Sequence, residues 1–164
     1  MFAVLDCDIL STFAKINKIG LLEKLFPKLL MPYAVYVELT NAKKIGFDFP
    51  DRVFDSKIEL TTLKPDELKD FETFVKMPHV HYGEAEGMSI AKNRNAVFLT
   101  NDGKVVKLCE EKKIMVLDLK DVLKQIAREN LVDKKEMSHI LEEIERIENT
   151  IIKEKDEIIE ENMQ

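Results

Sequence analysis

Two acidic residues of this sequence follow short apolar runs. Asp6 ends the run FAVLD at residues 2–6, and Asp102 comes shortly after the run AVFLT at residues 96–100. Acidic side chains usually lie in solvent, so an acid that ends a buried segment needs a partner. For Asp6 that partner is either the first amide of a following helix or a metal ion. Asp8 opens the segment ILSTFA and has the same two alternatives.

Helical phase selects a third acid, Glu38. In the segment PYAVYVELTNA, residues Val35, Leu39 and Ala42 define an apolar face, and Glu38 lies on that face three residues after Val35. An acid on an inward face requires a hydrogen-bond partner or a metal. The alternative is a glutamate at the edge of the apolar stripe whose carboxylate reaches solvent.

The same test separates two glutamates in the segment GEAEGMSIAKN. Glu84 lies in the middle of the arc that contains Ala85, Met88 and Ala91, whereas Glu86 falls on the opposite side. We therefore expect Glu84 to face the protein interior and Glu86 to be a surface residue. Glu84 also lies in the first helical turn, where the helix dipole alone favours a negative charge.

The chemistry of these four acids is that of a metal site. If Asp6, Glu38, Glu84 and Asp102 converge, they repel one another unless a cation compensates them, and oxygen ligands favour Mg²⁺ or Mn²⁺. Asp6, Glu84 and Asp102 are the predicted metal ligands. Such a site is suited to phosphodiester hydrolysis, which then needs no Ser, Cys or His nucleophile. The three histidines, at positions 79, 81 and 139, show no metal-ligand spacing.

The elements that must position these acids alternate between short apolar runs and helical patterns. This alternation predicts an α/β fold with a mainly parallel sheet and helices on both faces. In such folds ligands bind beyond the carboxyl ends of the strands. Asp6 and Asp102 are both expected at that edge.

The C-terminal segment differs from the rest of the chain. Residues 133–164 hold 11 acidic and 5 basic residues, which leaves 20 of each in residues 1–132 and accounts for the net charge of −6. The apolar spacing over residues 134–162 predicts one long amphipathic helix. We expect a domain at 1–132 and an acidic helix at 133–164 that either folds back on that domain or pairs with a second copy or a partner.

Four segments taken in order resemble one known family. The segments VLDCDILSTFAKI, MPYAVYVEL, GEAEGMSIAKNRNAVFLTNDGK and IMVLDLKDVL look like a PIN domain, in the prokaryotic branch related to VapC-type toxin ribonucleases. The resemblance covers about residues 2–130. It implies a three-layer α/β/α fold, cleavage of RNA with Mg²⁺ or Mn²⁺, and, for a toxin, an antitoxin protein as partner. The acid positions of the family fall on Asp6, Glu38, Glu84 and Asp102.

The resemblance also suggests accessory residues. Thr100 and Asn101 match the polar residues that commonly flank the last acid of the family. Asp8 stands where these proteins often carry Asn or Ser, so it is either a further acid of the site or a helix cap. Lys104 lies near the position of a frequent Arg and is the expected contact to RNA phosphate. Other basic residues near the predicted site, at positions 43, 44, 92, 94 and 107, are candidates for a phosphate-binding rim.

Two alternatives remain at this stage. The segment LDCDIL also resembles the strand end of haloacid-dehalogenase-type phosphatases, but Leu10 and Gly103 depart from their pattern. A PIN-like domain that binds RNA or protein without cleaving it is the second alternative. No apolar run is long enough to span a membrane, and Cys7 and Cys109 lack the density of a disulfide scaffold. We expect a cytoplasmic homodimer.

Overall fold

A computed structural model describes residues 1–161. Its centre is a five-stranded sheet in which every neighbouring pair is parallel. The strands are β1 (Ala3–Leu5), β2 (Leu29–Pro32), β3 (Glu59–Thr61), β4 (Val97–Leu99) and β5 (Val116–Leu117), in the spatial order β3-β2-β1-β4-β5. The predicted α/β class is confirmed. Strand β1 lies in the middle, so the residues that follow it start from the centre of the sheet.

Helices connect the strands. They are α1 (Cys7–Lys15), α2 (Ile19–Leu25), α3 (Tyr33–Lys44), α4 (Phe49–Phe54), α5 (Leu68–Val75), α6 (Tyr82–Asn93), α7 (Gly103–Glu111), α8 (Leu119–Arg128), α9 (Lys134–Glu148) and α10 (Lys155–Glu160), with a short 3-10 helix at Pro65–Glu67 before α5. Helices α1, α3, α7 and α8 begin within four residues of a strand end. Their first turns are therefore gathered at the carboxyl edge of the sheet.

The helices form two layers, one on each face of the sheet. Because successive strand residues point to opposite faces, Ala3 and Leu5 of β1 join one hydrophobic cluster and Val4 joins the other. The first cluster contains buried residues of α1, α2, α3, α8 and α9, and the second contains those of α5, α6 and α7. The expected three-layer arrangement is therefore confirmed.

Helix α6 is buried along most of its length, from Gly83 to Ala91. It packs on the sheet and also against α5 and α3. Gly87 makes the closest approach to the sheet possible, because a Cβ at this position would lie 2.4 Å from Cε2 of Phe98 on β4. The absence of a side chain at Gly87 therefore sets how deeply α6, and with it Glu84, enters the fold.

The C-terminal segment folds back on the rest of the chain. Met137, Ile140, Ile144 and Ile158 are buried in the same cluster as Phe13 of α1. Instead of the single helix predicted over 134–162, the segment forms α9 and α10, and the last residues, 162–164, lie outside the described part of the chain. The chain leaves α9 through a residue in the left-handed conformation, Asn149, and enters α10 through another, Glu154. The division into 1–132 and 133–164 stays a prediction.

Two expectations from composition concern membranes and cysteines. Across residues 1–161, no helix combines the length and the apolar character that crossing a bilayer requires. Cys7 and Cys109 are both free thiols, and burial raises the pKa of each to about 12. They are therefore unreactive near neutral pH.

Candidate metal-binding active site

Asp6 lies at the end of the central strand, with only 7% of its surface exposed. Its Oδ1 accepts a hydrogen bond from the Cys7 amide at 2.8 Å, and its Oδ2 accepts one from Thr100 Oγ1 at 2.8 Å. Burial raises the pKa of Asp6 to about 6, and the two hydrogen bonds oppose that rise. Asp6 thus caps α1 and also points its second oxygen toward the end of β4. The capping role predicted for Asp6 is confirmed, and its role as a metal ligand stays a prediction.

Asp8 joins the same edge. Its Oδ2 accepts a hydrogen bond from the Asn101 amide at 3.0 Å, and its Oδ1 accepts one from the Ile9 amide at 2.6 Å. Although Asp8 reaches solvent, desolvation of its carboxyl and the nearby charge of Asp6 raise its pKa to about 7. Asp8 therefore links α1 to the segment that follows β4, and it does so next to the other acids.

Glu84 lies in the first turn of α6 and is 6% exposed. Its Oε2 accepts a hydrogen bond from the amide of His81, the residue that caps the helix, at 2.7 Å. Burial raises the pKa of Glu84, and the charges of Asp102 and Asp8 raise it further. The inward orientation predicted from helical phase is confirmed. Glu84 also occupies the first helical turn, where the helix dipole favours its negative charge.

Asp102 caps the first turn of α7. Its Oδ1 accepts hydrogen bonds from the amides of Lys104 at 2.8 Å and Val105 at 3.2 Å, and no such bond occupies Oδ2 in the part of the chain that the structure describes. The Asp102 amide donates to Thr100 Oγ1 at 3.3 Å. Since the same hydroxyl donates to Asp6, Thr100 connects two of the predicted metal ligands. Asn101, between them, accepts from the Leu119 amide at 3.4 Å.

Glu38 is exposed, so the inward orientation expected from the phase of α3 is wrong. Its carboxylate still turns toward the first turn of α6, where a Cβ on Gly83 would lie 3.2 Å from Glu38 Oε1. The charge of Glu38 also raises the pKa of Asp6 and of the Cys7 thiol. Glu38 therefore lies at the rim of the acidic edge, where the alternative of a solvent-reaching carboxylate also holds.

The five acids influence one another electrostatically. Glu84 and Glu38 raise the pKa of Asp6, and Asp102 and Asp6 raise that of Asp8. Within residues 1–161, none of the five forms a salt bridge with Lys or Arg. A cluster of carboxylates without Lys or Arg partners provides the oxygen-rich, negative donor set that suits Mg²⁺ or Mn²⁺.

The acids are not arranged as a closed metal cage. Among the residues described, no three Asp, Glu, His or Cys side chains are positioned to enclose an ion. The donor chemistry fits a hard divalent cation, while the ligand set itself stays a prediction. His79 and His81 line a cavity that borders Asp102, whereas His139 lies on helix α9 and is not among the residues lining that cavity.

Glu86 corrects the sequence analysis. It was expected on the surface, but it is 4% exposed. Its Oε2 accepts a hydrogen bond from the Ala34 amide at 2.8 Å, and burial raises its pKa. The helical wheel failed because it assumes one buried side, whereas α6 is covered by the sheet, α5 and α3 together. Glu86 supplies the cap that Pro32 cannot give to α3.

Two cavities meet at Asn101. One, of about 710 Å³, is lined by His79, His81, Asn101, Asp102, Gly103, Lys104 and Lys107. The other, of about 480 Å³, lies toward α3 and α9 and includes Asp8, Glu38 and Glu148. Lys104 thus borders the acidic edge, as predicted, whereas Lys92 and Arg94 form salt bridges with Asp70 and Glu67. The first cavity therefore places basic groups beside Asp102, whereas the second adds one further acid, Glu148, to Asp8 and Glu38.

Comparison with known proteins places this chain in a family. The model of the PIN-domain family DUF3368 matches residues 2–161. The chain belongs to the PIN-domain family. The resemblance stated from the sequence is thereby confirmed, and the match extends through α9 and α10, beyond the region in which the resemblance was seen. A search of curated proteins found no match.

Solved structures share the PIN fold at low sequence identity. VapBC2 from Rickettsia felis, bound to a DNA fragment from its promoter, is 15% identical with a TM-score of 0.57, and covers 72% of this chain and 98% of its own. VapBC-1 from nontypeable Haemophilus influenzae is 16% identical with a TM-score of 0.56, at the same coverage of 72% and 98%. A PilT N-terminus domain protein from Sulfolobus solfataricus is 20% identical with a TM-score of 0.53, covering 77% and 93%. These similarities concern the fold.

Proposed function

We propose that this PIN domain is an endoribonuclease that hydrolyses RNA phosphodiester bonds with Mg²⁺ or Mn²⁺. The observation that carries the proposal is the group of five carboxylates at the carboxyl edge of the sheet, none of which has a Lys or Arg salt bridge within residues 1–161. Family membership supports the same activity. It also disfavours the haloacid-dehalogenase-type phosphatase.

Asp6, Glu84 and Asp102 are the proposed metal ligands, with Glu38 as the fourth catalytic acid. Thr100 holds Asp6 through its hydroxyl, and the Asn101 amide holds Asp8. When bound, the cation supplies Lewis acidity that polarises a phosphoryl oxygen and makes water a stronger nucleophile. Asp6 and Asp8 would hold such a cation in their ionised forms, and its charge would lower the pKa of both.

A toxin role with a protein antitoxin is part of the proposal. Two of the structural neighbours are VapBC proteins, and this chain has the same fold. We infer that it acts on RNA in the cytoplasm as a homodimer and that an antitoxin restrains it. Growth arrest on induction, relieved by a neighbouring small gene product, is the expected cellular result. If cells grow normally while they express the active enzyme at a high level, the toxin role is contradicted but the nuclease activity is not.

The test is RNA cleavage with purified protein in Mn²⁺ and in EDTA. Asp6→Asn and Asp102→Asn should abolish cleavage, whereas Glu72→Gln, an exposed acid on α5, should leave it unchanged. If both active-site variants cleave as the wild type does, the activity belongs to a contaminant or another site. Metal binding without cleavage of any RNA would favour the non-catalytic binding module.

A further inference from the structure

The cavity beside Asp102 has the composition of a binding site for phosphate. Four of its seven lining residues carry basic side chains, namely His79, His81, Lys104 and Lys107, and Asp102 is its one acidic member. We propose that this cavity, called the basic cleft, binds the backbone phosphates of a single-stranded RNA on one side of the scissile bond. This inference rests on the proposed function and specifies where its substrate lies.

Two lysines of α7 supply the charge of the basic cleft. Lys104 and Lys107 are three residues apart on the helix, which places them on one face, and both are exposed. Within residues 1–161 neither forms a salt bridge. The acid beside them, Asp102, already accepts two backbone hydrogen bonds through Oδ1. Their charges are therefore available to an anionic ligand.

An apolar extension makes the basic cleft suitable for a nucleotide. A second cavity, of about 340 Å³, shares His79, Lys104 and Lys107 with it, includes one acid, Glu111, and continues over apolar side chains, those of Met77, Pro78, Val80, Val105 and Leu108. A phosphate at the lysines leaves the attached base free to lie on this apolar wall. A base can reach such a wall only when it is not paired in a duplex, which favours a single strand.

The opposite side of the acidic edge is unfavourable to phosphate. The cavity toward α3 and α9 contains three carboxylates, those of Asp8, Glu38 and Glu148. Its one lysine, Lys15, is paired with Glu148 at 3.3 Å. Because like charges repel, the RNA backbone is directed from the acidic edge over α7 and not toward α9. The basic cleft thus determines the path of the strand.

The experiment measures binding without turnover. A fluorescent 2′-O-methyl single-stranded oligonucleotide is titrated with protein in EDTA at several salt concentrations. Replacing both cleft lysines (Lys104→Gln, Lys107→Gln) should weaken binding about tenfold and lower the slope of log K against log salt by about 1.4, from two lost phosphate contacts. Replacing Lys112 and Lys113 by Gln at the other end of α7 removes the same charge and should change neither quantity.

The outcomes separate this inference from the proposed function. Equal losses in both lysine pairs, no change in the salt slope, absence of binding by the wild type, or equally tight binding of an RNA duplex would each overturn the basic cleft. If the protein cleaves RNA, the cleft variant should raise KM and leave kcat unchanged. If it binds through the lysines but cleaves no RNA, the basic cleft stands and the nuclease proposal fails.

Discussion

Oε2 of Glu86 on α6 lies 2.8 Å from the backbone nitrogen of Ala34 in the first turn of α3 and accepts its hydrogen bond. The N-cap of α3, Pro32, offers no side chain to that turn. Helix α6 carries Glu84 and helix α3 carries Glu38, so the bond joins the starts of two helices that each bring an acid to the same edge. Glu86 therefore positions the site through α3.

Replacing Glu86 by Ala should destabilise the fold. The change leaves the part-buried amide of Ala34 without its acceptor, and losing such a helix cap costs about 0.5–2 kcal/mol of unfolding free energy. Glu86→Gln keeps a carbonyl oxygen at this place and should cost clearly less. Urea unfolding of both variants measures the difference. An alanine variant as stable as the wild type would show that water replaces the carboxylate and that Glu86 does not anchor α3.

The stability of the fold should also depend strongly on the ion pair between Arg94 and Glu67. Arg94 Nε lies 2.6 Å from Glu67 Oε1, with side-chain exposures of 14% and 1%, and the guanidinium also contacts Thr61 Oγ1 at 2.8 Å. Burial raises the pKa of Glu67, but the hydrogen bond from Arg94 and other contacts outweigh it, so the pKa lies below its usual value.

Removing either partner leaves the other uncompensated, and we expect Arg94→Met or Glu67→Gln to cost about 3–5 kcal/mol. Arg94→Lys should not restore stability, because lysine cannot form the same fork of hydrogen bonds. In a double-mutant cycle, the double variant should be less destabilised than the sum of the single changes. Additivity of the two effects would mean that the pair is not coupled.

The metal-free protein should lose stability as pH rises through the window set by Asp6 and Asp8. Their folded-state pKa values, about 6 and about 7, lie above the ordinary value of 3.8. At any pH between 3.8 and these values, the folded state therefore binds more protons than the unfolded state. Stability from these groups is therefore greatest below about pH 4 and falls toward pH 7.

Asp8→Asn should flatten this dependence, since an asparagine cannot titrate. The comparison is between unfolding curves of the wild type and the variant in EDTA from pH 4 to pH 8, because other carboxyls with lowered pKa values, such as Glu67, act in the opposite direction in both proteins. Parallel stability profiles of the two proteins would contradict the raised pKa of Asp8.

Mn²⁺ or Mg²⁺ should stabilise the fold, and more so at pH 7.5 than at pH 5.5. At the lower pH protons compete for the carboxyls of the acidic edge. At a metal concentration of 100 times Kd the gain is about 2.7 kcal/mol. Thermal unfolding with and without the ion measures it. Asp6→Asn should lose the gain and Glu72→Gln should keep it. A gain that Asp6→Asn retains would locate the ion elsewhere.

The sequence was a good guide to single residues whose burial is decided by the nearest element. Asp6 follows a central strand and Glu84 lies in the first turn of α6, and both are buried as expected. Glu86 was missed because its burial depends on α3 and α5, which are distant in sequence. The apolar phase of α3 did not show that Glu38 lies at a rim. Apolar periodicity identifies one buried face of a helix, but it does not show how many other elements pack against that helix.

The sequence of the C-terminal segment contains a helix-terminating residue that the apolar periodicity does not reveal. The spacing of isoleucines continues through residue 158, so it predicts one helix. Asn149 ends α9 in the left-handed conformation, which asparagine tolerates better than most residues and which commonly terminates helices. The chain then reverses, and Ile151 becomes 82% exposed while Ile158 is buried. The asparagine after Glu148 was the feature that could have indicated the break.

The packing of α9 on α1 also affects the order in which the chain can fold during its synthesis. Glu148 accepts a hydrogen bond from Thr12 across 136 positions of sequence, and Met137, Ile140 and Ile144 complete the cluster that Phe13 occupies. A growing chain exposes its amino-terminal residues first, so all the acids of the proposed site leave the ribosome before the helix that closes their layer. Native packing of α1 therefore has to wait for α9. A chain that has not yet been synthesised past residue 148 lacks the side chains that cover this face of α1.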